Sequence, residues 1–269
     1  MLITSPQNPR VKALIALRER KERQRTGLFI VEGHDEIALV LRAGGPITAL
    51  YTCPALYRDP ARADLVRRAA DAGAEITELG EAAFAKAAYR ENPDGFLATF
   101  RAPPTDLARL APPAPALILI CEAVEKPGNL GAMLRTADAA GVGAVIACDP
   151  LTDWGNPNVV RASKGALFSV PTAAASSEET IRWLRERGIQ IVVTTPAAAR
   201  PYTDHDLRGP VAIAVGAEDE GLSETWLSAA DSAVVIPMFG AVNSLNVATS
   251  AALLVYEAVR QRSGKGAGG

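Results

Sequence analysis

Apolar side chains recur in two alternating periods along this chain. Near its start Val11, Leu14 and Ile15 mark one face of a helix, with basic side chains around the remainder. A short β-type run at residues 28–31 precedes a helical stretch at 34–42, closed by Gly44 and Gly45. Residues 47–52, 75–79 and 95–100 read as strands; 62–72 and 81–89 read as helices, the first ended by Gly73. The pattern predicts an α/β domain over residues 1–101. Pro103, Pro104, Pro112, Pro113 and Pro115 then make 102–115 a semi-rigid linker. Beyond it, the runs at 117–121, 144–148, 189–194, 211–215 and 233–237 are nearly continuous Ala, Val, Ile and Leu. Strands of that kind are covered on both faces, so residues 116–269 predict a mostly parallel sheet. Helical segments alternate with them at 129–140, 158–167, 178–187, 224–230 and 246–262. The last carries Val247, Ala251, Leu254 and Ala258 on one stripe, and residues 263–269 read as a frayed tail.

Composition narrows the class. With 48% hydrophobic and 22% charged residues in 269, the composition is that of a globular protein and rules out wholesale disorder. A net charge of −2 excludes a polycationic coat, but residues 1–30 alone carry +5. A basic arm on an acidic body points to a polyanionic partner met at one end. Cys53, Cys121 and Cys148 are widely spaced and sit in or beside apolar runs, which predicts small buried thiols. With no CxxC and two histidines, no metal site is expected. The first residues are polar where a signal peptide is apolar, and no apolar run approaches membrane-spanning length, so the expected setting is cytoplasmic with no membrane partner.

In parallel α/β sheets ligands sit beyond the carboxyl ends of strands, and three loops there are unusually polar. The first, EAVEKPGNLGAMLRTADAAG, turns at Pro127-Gly128, offers Asn129 as an N-cap and buries Leu130, Met133, Leu134 and Ala137. Arg135 lies about 140° from Leu130 around that helix, so its head can face a cleft; on pattern alone, a surface arginine paired with Asp138 fits as well. The second loop, GAEDEGLSETW, has Gly216 and Gly221 for a tight backbone, three acidic residues between them and Ser223 as a cap. It fits neither a phosphate-binding nor a dinucleotide fingerprint, and suits a cationic or hydroxyl-rich ligand or an ordinary acidic turn. The third, IPMFGAVNSLNVATSAA, places Ser244 and Asn246 around Leu245, one capping residue more than a helix start needs.

In order and spacing, these loops resemble the three motifs of the SpoU/TrmH branch of the SPOUT RNA methyltransferases. RASKGALFSVP at 161–171 is similar to the segment between the first two motifs. SPQNPRVKAL and KERQRTGLFIVEG, with the α/β pattern after them, resemble the family's ribosomal-protein-like RNA-binding domain. One departure is Glu125-Lys126, where the family often has an acidic residue followed by a small or polar one.

The resemblance implies an α/β C-terminal SPOUT domain with a deep trefoil knot, although threaded chains are otherwise very rare. It implies S-adenosylmethionine as methyl donor and a ribose 2′-hydroxyl of RNA as acceptor, ribosomal RNA in preference to transfer RNA. The donor is expected among Thr194, Thr195, Pro196, Val215, Gly216, Ala217, Glu218, Gly221, Ile236, Met238, Ser244, Leu245 and Asn246. Arg135 is the expected catalytic residue: it would stabilise the developing alkoxide and grip the adjacent phosphate, because a guanidinium does not act as a base. Asn129 would orient the ribose, Glu218 would position Arg135, and Ser244 and Asn246 would complete the pocket. Lys12, Arg18, Lys21, Arg23 and Arg25 on a basic first helix would clamp phosphates, with Arg161 and Lys164 on the catalytic side. A homodimer is implied, with Arg135 or Asn129 acting across its interface. Two other classes compete: an RNA-binding protein of this fold without transfer, which would show no donor binding, and a nicotinamide-dependent oxidoreductase, which would need a glycine fingerprint after a strand.

Overall fold

The computed structural model describes residues 1–263; the tail expected at 263–269 lies outside them apart from Ser263, which ends the last helix. The described residues form two compact units, Met1–Pro103 with Asp153–Ser169, and Pro104–Thr152 with the residues from Val170 onward.

The first unit contains β1 (Leu2–Ile3), α1 (Pro9–Ala16), α2 (Arg20–Thr26), β2 (Leu28–Glu32), α3 (His34–Arg42), β3 (Ile47–Thr52), α4 (Asp64–Asp71), β4 (Glu75–Leu79), α5 (Glu81–Ala87) and β5 (Phe96–Arg101). Its sheet runs β1-β4-β3-β5-β2, with β1, β4 and β3 parallel and β5 antiparallel to β3 and β2. Val11, Leu14, Phe84 and Leu97 fill the core beneath α1 and α5. The basic first helix is two helices: α1 stops at Ala16, and α2 ends at Gly27, whose φ of 65° favours glycine.

Asp153–Ser169, within the segment expected to belong to the C-terminal domain, packs in this unit. Its helix Pro157–Ser163 (α7 in chain order) starts with proline at N1 and Asn156 as cap. The expected helix at 158–167 is shorter because Lys164 and Gly165 both take positive φ. Phe168 stacks on Phe29 with ring centroids 5.5 Å apart and lies 5.4 Å from Phe100.

The second unit comprises β6 (Leu117–Glu122), α6 (Pro127–Ala140), β7 (Ala144–Cys148), β8 (Thr172–Ala175), α8 (Ser177–Glu186), β9 (Gln190–Thr194), β10 (Val211–Val215), α9 (Glu224–Ala229), β11 (Ser232–Val234) and α10 (Val247–Ser263). All its strands are parallel, in the order β11-β9-β10-β6-β7-β8. Ile118, Ile120, Ile146, Ile191 and Val193 pack against Leu184 of α8 and Trp226 of α9. On the other face α6 lies against α10, burying Leu130, Met133, Leu134 and Ala137 from one and Val247, Ala251, Leu254 and Ala258 from the other. Cover on both faces accounts for the continuous apolar runs.

Candidate active site

The carboxyl ends of β9, β10 and β11 converge on a cavity of about 400 Å³ in the second unit. Thr194, Thr195 and Pro196 leave β9; Val215, Gly216, Ala217, Glu218 and Gly221 leave β10; Ile236, Met238, Ser244 and Leu245 lie between β11 and α10. Val235, Asn243, Val247 and Ser250 complete the lining and went unrecognised in the sequence. In the sequence Val247 reads only as part of the apolar stripe of the last helix; Ser250, three residues on in the first turn of α10, lies on the same side of it. A Cβ at Gly216 would collide with the backbone of Gly221 and Leu222, so only glycine lets these strands of the loop pass. Ala217 and Gly221 exchange backbone hydrogen bonds of 3.1 and 3.0 Å across the acidic turn.

Two polar systems set the walls. At the end of β6 the buried Glu122 carboxylate accepts from the Ser223 N–H at 2.8 Å and the Ser223 hydroxyl at 2.5 Å, anchoring the far end of the acidic loop. Ser223 stands at the N-cap of α9, but its hydroxyl serves Glu122 rather than the helix. The second system surrounds Glu218. Lys126 and Asn129 donate to its carboxylate, and Asn246 Nδ2 donates at 3.1 Å to both Glu218 Oε1 and Asn129 Oδ1. The Lys126 ammonium holds the Glu218 carboxyl below its ordinary range, and Glu218 in turn raises Lys126. Asn246 also caps α10, its Oδ1 accepting from Ala248 N–H at 3.0 Å. Asn129, expected as a cap, stands inside α6 because Pro127 takes the first helical position after Lys126; its amide is thereby free for Glu218.

The lining suits one class of ligand. Val215, Ile236, Met238 and Leu245 offer an apolar slot, and no lysine or arginine lines the cavity among the described residues. That argues against a polyphosphate and favours a neutral or cationic guest beside Glu218. Thr194 Oγ1 is buried without a hydrogen-bond partner among the described residues, a polar atom left for a ligand to satisfy.

Residues 116–256 match the SpoU rRNA methylase family model, and residues 8–98 match the MRM3-like substrate binding domain. The chain belongs to the SpoU rRNA methylase family. It is similar to the 23S rRNA (guanosine(2553)-2′-O)-methyltransferase RlmP of Bacillus subtilis (strain 168), 31% identical over 94% of this chain and 97% of that one. Among solved structures it resembles an RNA 2′-O ribose methyltransferase at 44% identity (TM-score 0.84, covering 98% of this chain and 100% of the other). An AdoMet-bound rRNA methyltransferase from Sinorhizobium meliloti matches at 31% identity, with a TM-score of 0.88 and 97% of both chains covered.

All the residues expected around the donor line the cavity except Asn246, which reaches it through Glu218. Arg135 lines neither this cavity nor the smaller one bounded by Lys126, Asn129 and Glu218. Six residues beyond Asn129, it sits about 9 Å further along α6 and roughly 120° away around it. Glu218 therefore does not position Arg135 within one chain; Lys126 takes its carboxylate instead. Of the expected phosphate clamp, Lys12, Lys21 and Arg25 are exposed, Arg25 being paired with Glu22. Arg23 is a correction: it is 6% exposed, bound through two nitrogens to Asp153, and donates to the carbonyls of Leu17 and Arg18. Arg18 donates to the carbonyls of Ala87 and Ala88 after α5. Arg161 and Lys164 belong to the first unit rather than the catalytic side; Lys164 Nζ lies 2.9 Å from Glu36. Among the described residues no helix is long and apolar enough to cross a membrane, and no cluster of His, Cys, Asp or Glu is arranged to hold a metal ion.

Proposed function

We propose that this SpoU-family chain methylates a ribose 2′-hydroxyl of 23S ribosomal RNA, with S-adenosylmethionine held in the cavity beyond β9, β10 and β11. The chain is an S-adenosylmethionine-dependent RNA 2′-O-methyltransferase by family, and the 23S target follows the names of its near-full-length relatives. One observation carries the assignment of the site: segments after β9, β10 and β11, each part of the family-matched region, enclose a single base-free cavity with an apolar slot and one buried unpaired hydroxyl. Backbone groups and the apolar side chains Val215, Ile236, Met238 and Leu245 would hold the donor, and Glu218 would supply a negative charge to a cationic guest.

Bound there, the donor supplies an electrophilic methyl group on a sulfonium. The chain's own residues place the acceptor oxygen in line and stabilise the charge that develops on it. Asn129, fixed by Glu218 and Asn246, orients the ribose. Arg135 grips the neighbouring phosphate and stabilises the alkoxide, while a phosphate oxygen or water accepts the proton. Because Arg135 lies off the cavity of its own chain, it reaches the site of a second copy. The exposed apolar side chains Phe239, Val242, Leu253 and Tyr256 of the second unit support a homodimer. The trefoil knot belongs to this proposal through the family match alone. The first unit, with Asp153–Ser169, holds the RNA, and the enzyme works in the cytoplasm.

Calorimetry with S-adenosylmethionine and transfer of labelled methyl to 23S rRNA test this together. Arg135→Ala should retain donor binding and lose about a hundredfold or more in kcat. Arg135→Lys should not regain activity at a pH that deprotonates the amine. Near-normal turnover of Arg135→Ala would overturn the assignment.

A further inference from the structure

We propose that the ring of Tyr89 is a stacking platform for one unpaired base of the RNA; this rests on the reading of the chain as an RNA methyltransferase. Tyr89 follows α5 in the first unit and is 42% exposed, although its backbone N–H and its hydroxyl are both hydrogen-bonded. Its N–H donates to Glu32 Oε2 at 2.7 Å, and the Arg90 N–H donates to the same oxygen at 3.2 Å. Its hydroxyl accepts from Asn158 Nδ2 at 3.1 Å, which fixes the far edge of the ring. The Arg18 guanidinium lies 5.7 Å from the ring centroid, itself pinned by the carbonyls of Ala87 and Ala88. The aromatic plane is thus preorganised, backed by a cation, and open to solvent.

The surroundings choose the guest. Asn158 Oδ1 accepts from Arg161 at 3.3 Å, so the amide that holds the phenol also holds a cation beside it. Arg90 and Lys164 both lie 2.9 Å from Glu36 Oε1, two cations sharing one carboxylate. A rigid ring rimmed by an excess of positive charge fits a base with its own phosphates. An apolar peptide would offer that excess charge no counter-ion, and a duplex keeps its base faces covered. Aromatic residues are only 5% of the chain, so a single exposed, tethered tyrosine in the RNA-holding unit stands out from the composition.

Full-length protein would be titrated with a short fluorescent oligoadenylate and with an abasic ribose-phosphate strand of the same length. Tyr89→Ala is expected to weaken oligoadenylate binding about tenfold while leaving abasic binding, the salt slope and donor calorimetry unchanged. Tyr89→Phe and Tyr89→Trp should stay within about twofold of the parent, because each retains a π-face. Equal losses on both strands, or none on either, would overturn the platform. So would a Tyr89→Ala defect confined to assembled ribosomal subunits and absent on naked RNA, which would make the ring a protein contact. A parent protein that binds neither donor nor RNA would instead overturn the functional reading, and this inference with it.

Discussion

The Glu218 carboxylate accepts from Lys126, Asn129 and Asn246, so one side chain joins the loop after β6, the acidic turn after β10 and the start of α10. Lys126 is the largest influence lowering its titration, with Asn129 adding to it. A carboxyl lowered on folding contributes through its charged form. That contribution is complete above the ordinary value of 4.5 and disappears as pH falls through the lower folded value. Lys126, raised above 10.5, leaves the pair intact through the neutral and alkaline range up to its own titration. Lys126→Met should therefore move the Glu218 midpoint up toward 4.5 in a carbon-detected carboxyl titration. An unmoved midpoint would mean that the two asparagines alone set it. Lys126 is also the residue at which the sequence departs from its family's habit, and the departure has a partner.

At the scale of elements, legibility followed how local each cause was. The strands β6, β7 and β10 announce themselves because a strand buried on both faces needs unbroken apolar residues. Apolar neighbours likewise marked the three cysteines, all buried, with burial pushing the Cys148 thiol up to about 12. By contrast β1 has two residues and β8 is Thr-Ala-Ala-Ala; both exist through pairing with β4 and β7, which no local pattern records. The cavity lining was legible only through family resemblance, since backbone passing backbone at Gly216 leaves no periodicity. Arg23 misled for a similar reason: a charge in a basic stretch reads as solvated, and its partner Asp153 is 130 residues away. That pairing makes α2 and the Asp153–Ser169 segment one structure. Arg23→Met is expected to lower stability by about 3 kcal/mol, because Asp153 and two carbonyls lose a buried donor. Arg25→Ala, which breaks only an exposed pair, should change it by less than about 0.5 kcal/mol. Urea unfolding followed in parallel for the two variants decides; equal midpoints would return Arg23 to the phosphate clamp.

For the whole molecule the deciding fact is that Arg135 does not line the cavity of its own chain. The proposed two-fold dimer would resolve it by symmetry, since each copy could lend its arginine to the other's cavity. The second unit has the surface for it, with Phe239 at 96% exposure and Val242, Leu253 and Tyr256 also in solvent. Sharing across copies has a consequence that action within one chain cannot imitate. Arg135→Ala keeps an intact cavity and lacks the arginine; Asn246→Ala keeps the arginine and lacks the Glu218 network. Each variant should be inactive alone. If the two are mixed, unfolded and refolded together, half of the dimers are mixed, and each contains one cavity with Asn246 facing an intact Arg135. Roughly a quarter of the parental activity should return. If Arg135 served its own chain, every site in the mixture would lack one group or the other, and no activity would return at any ratio.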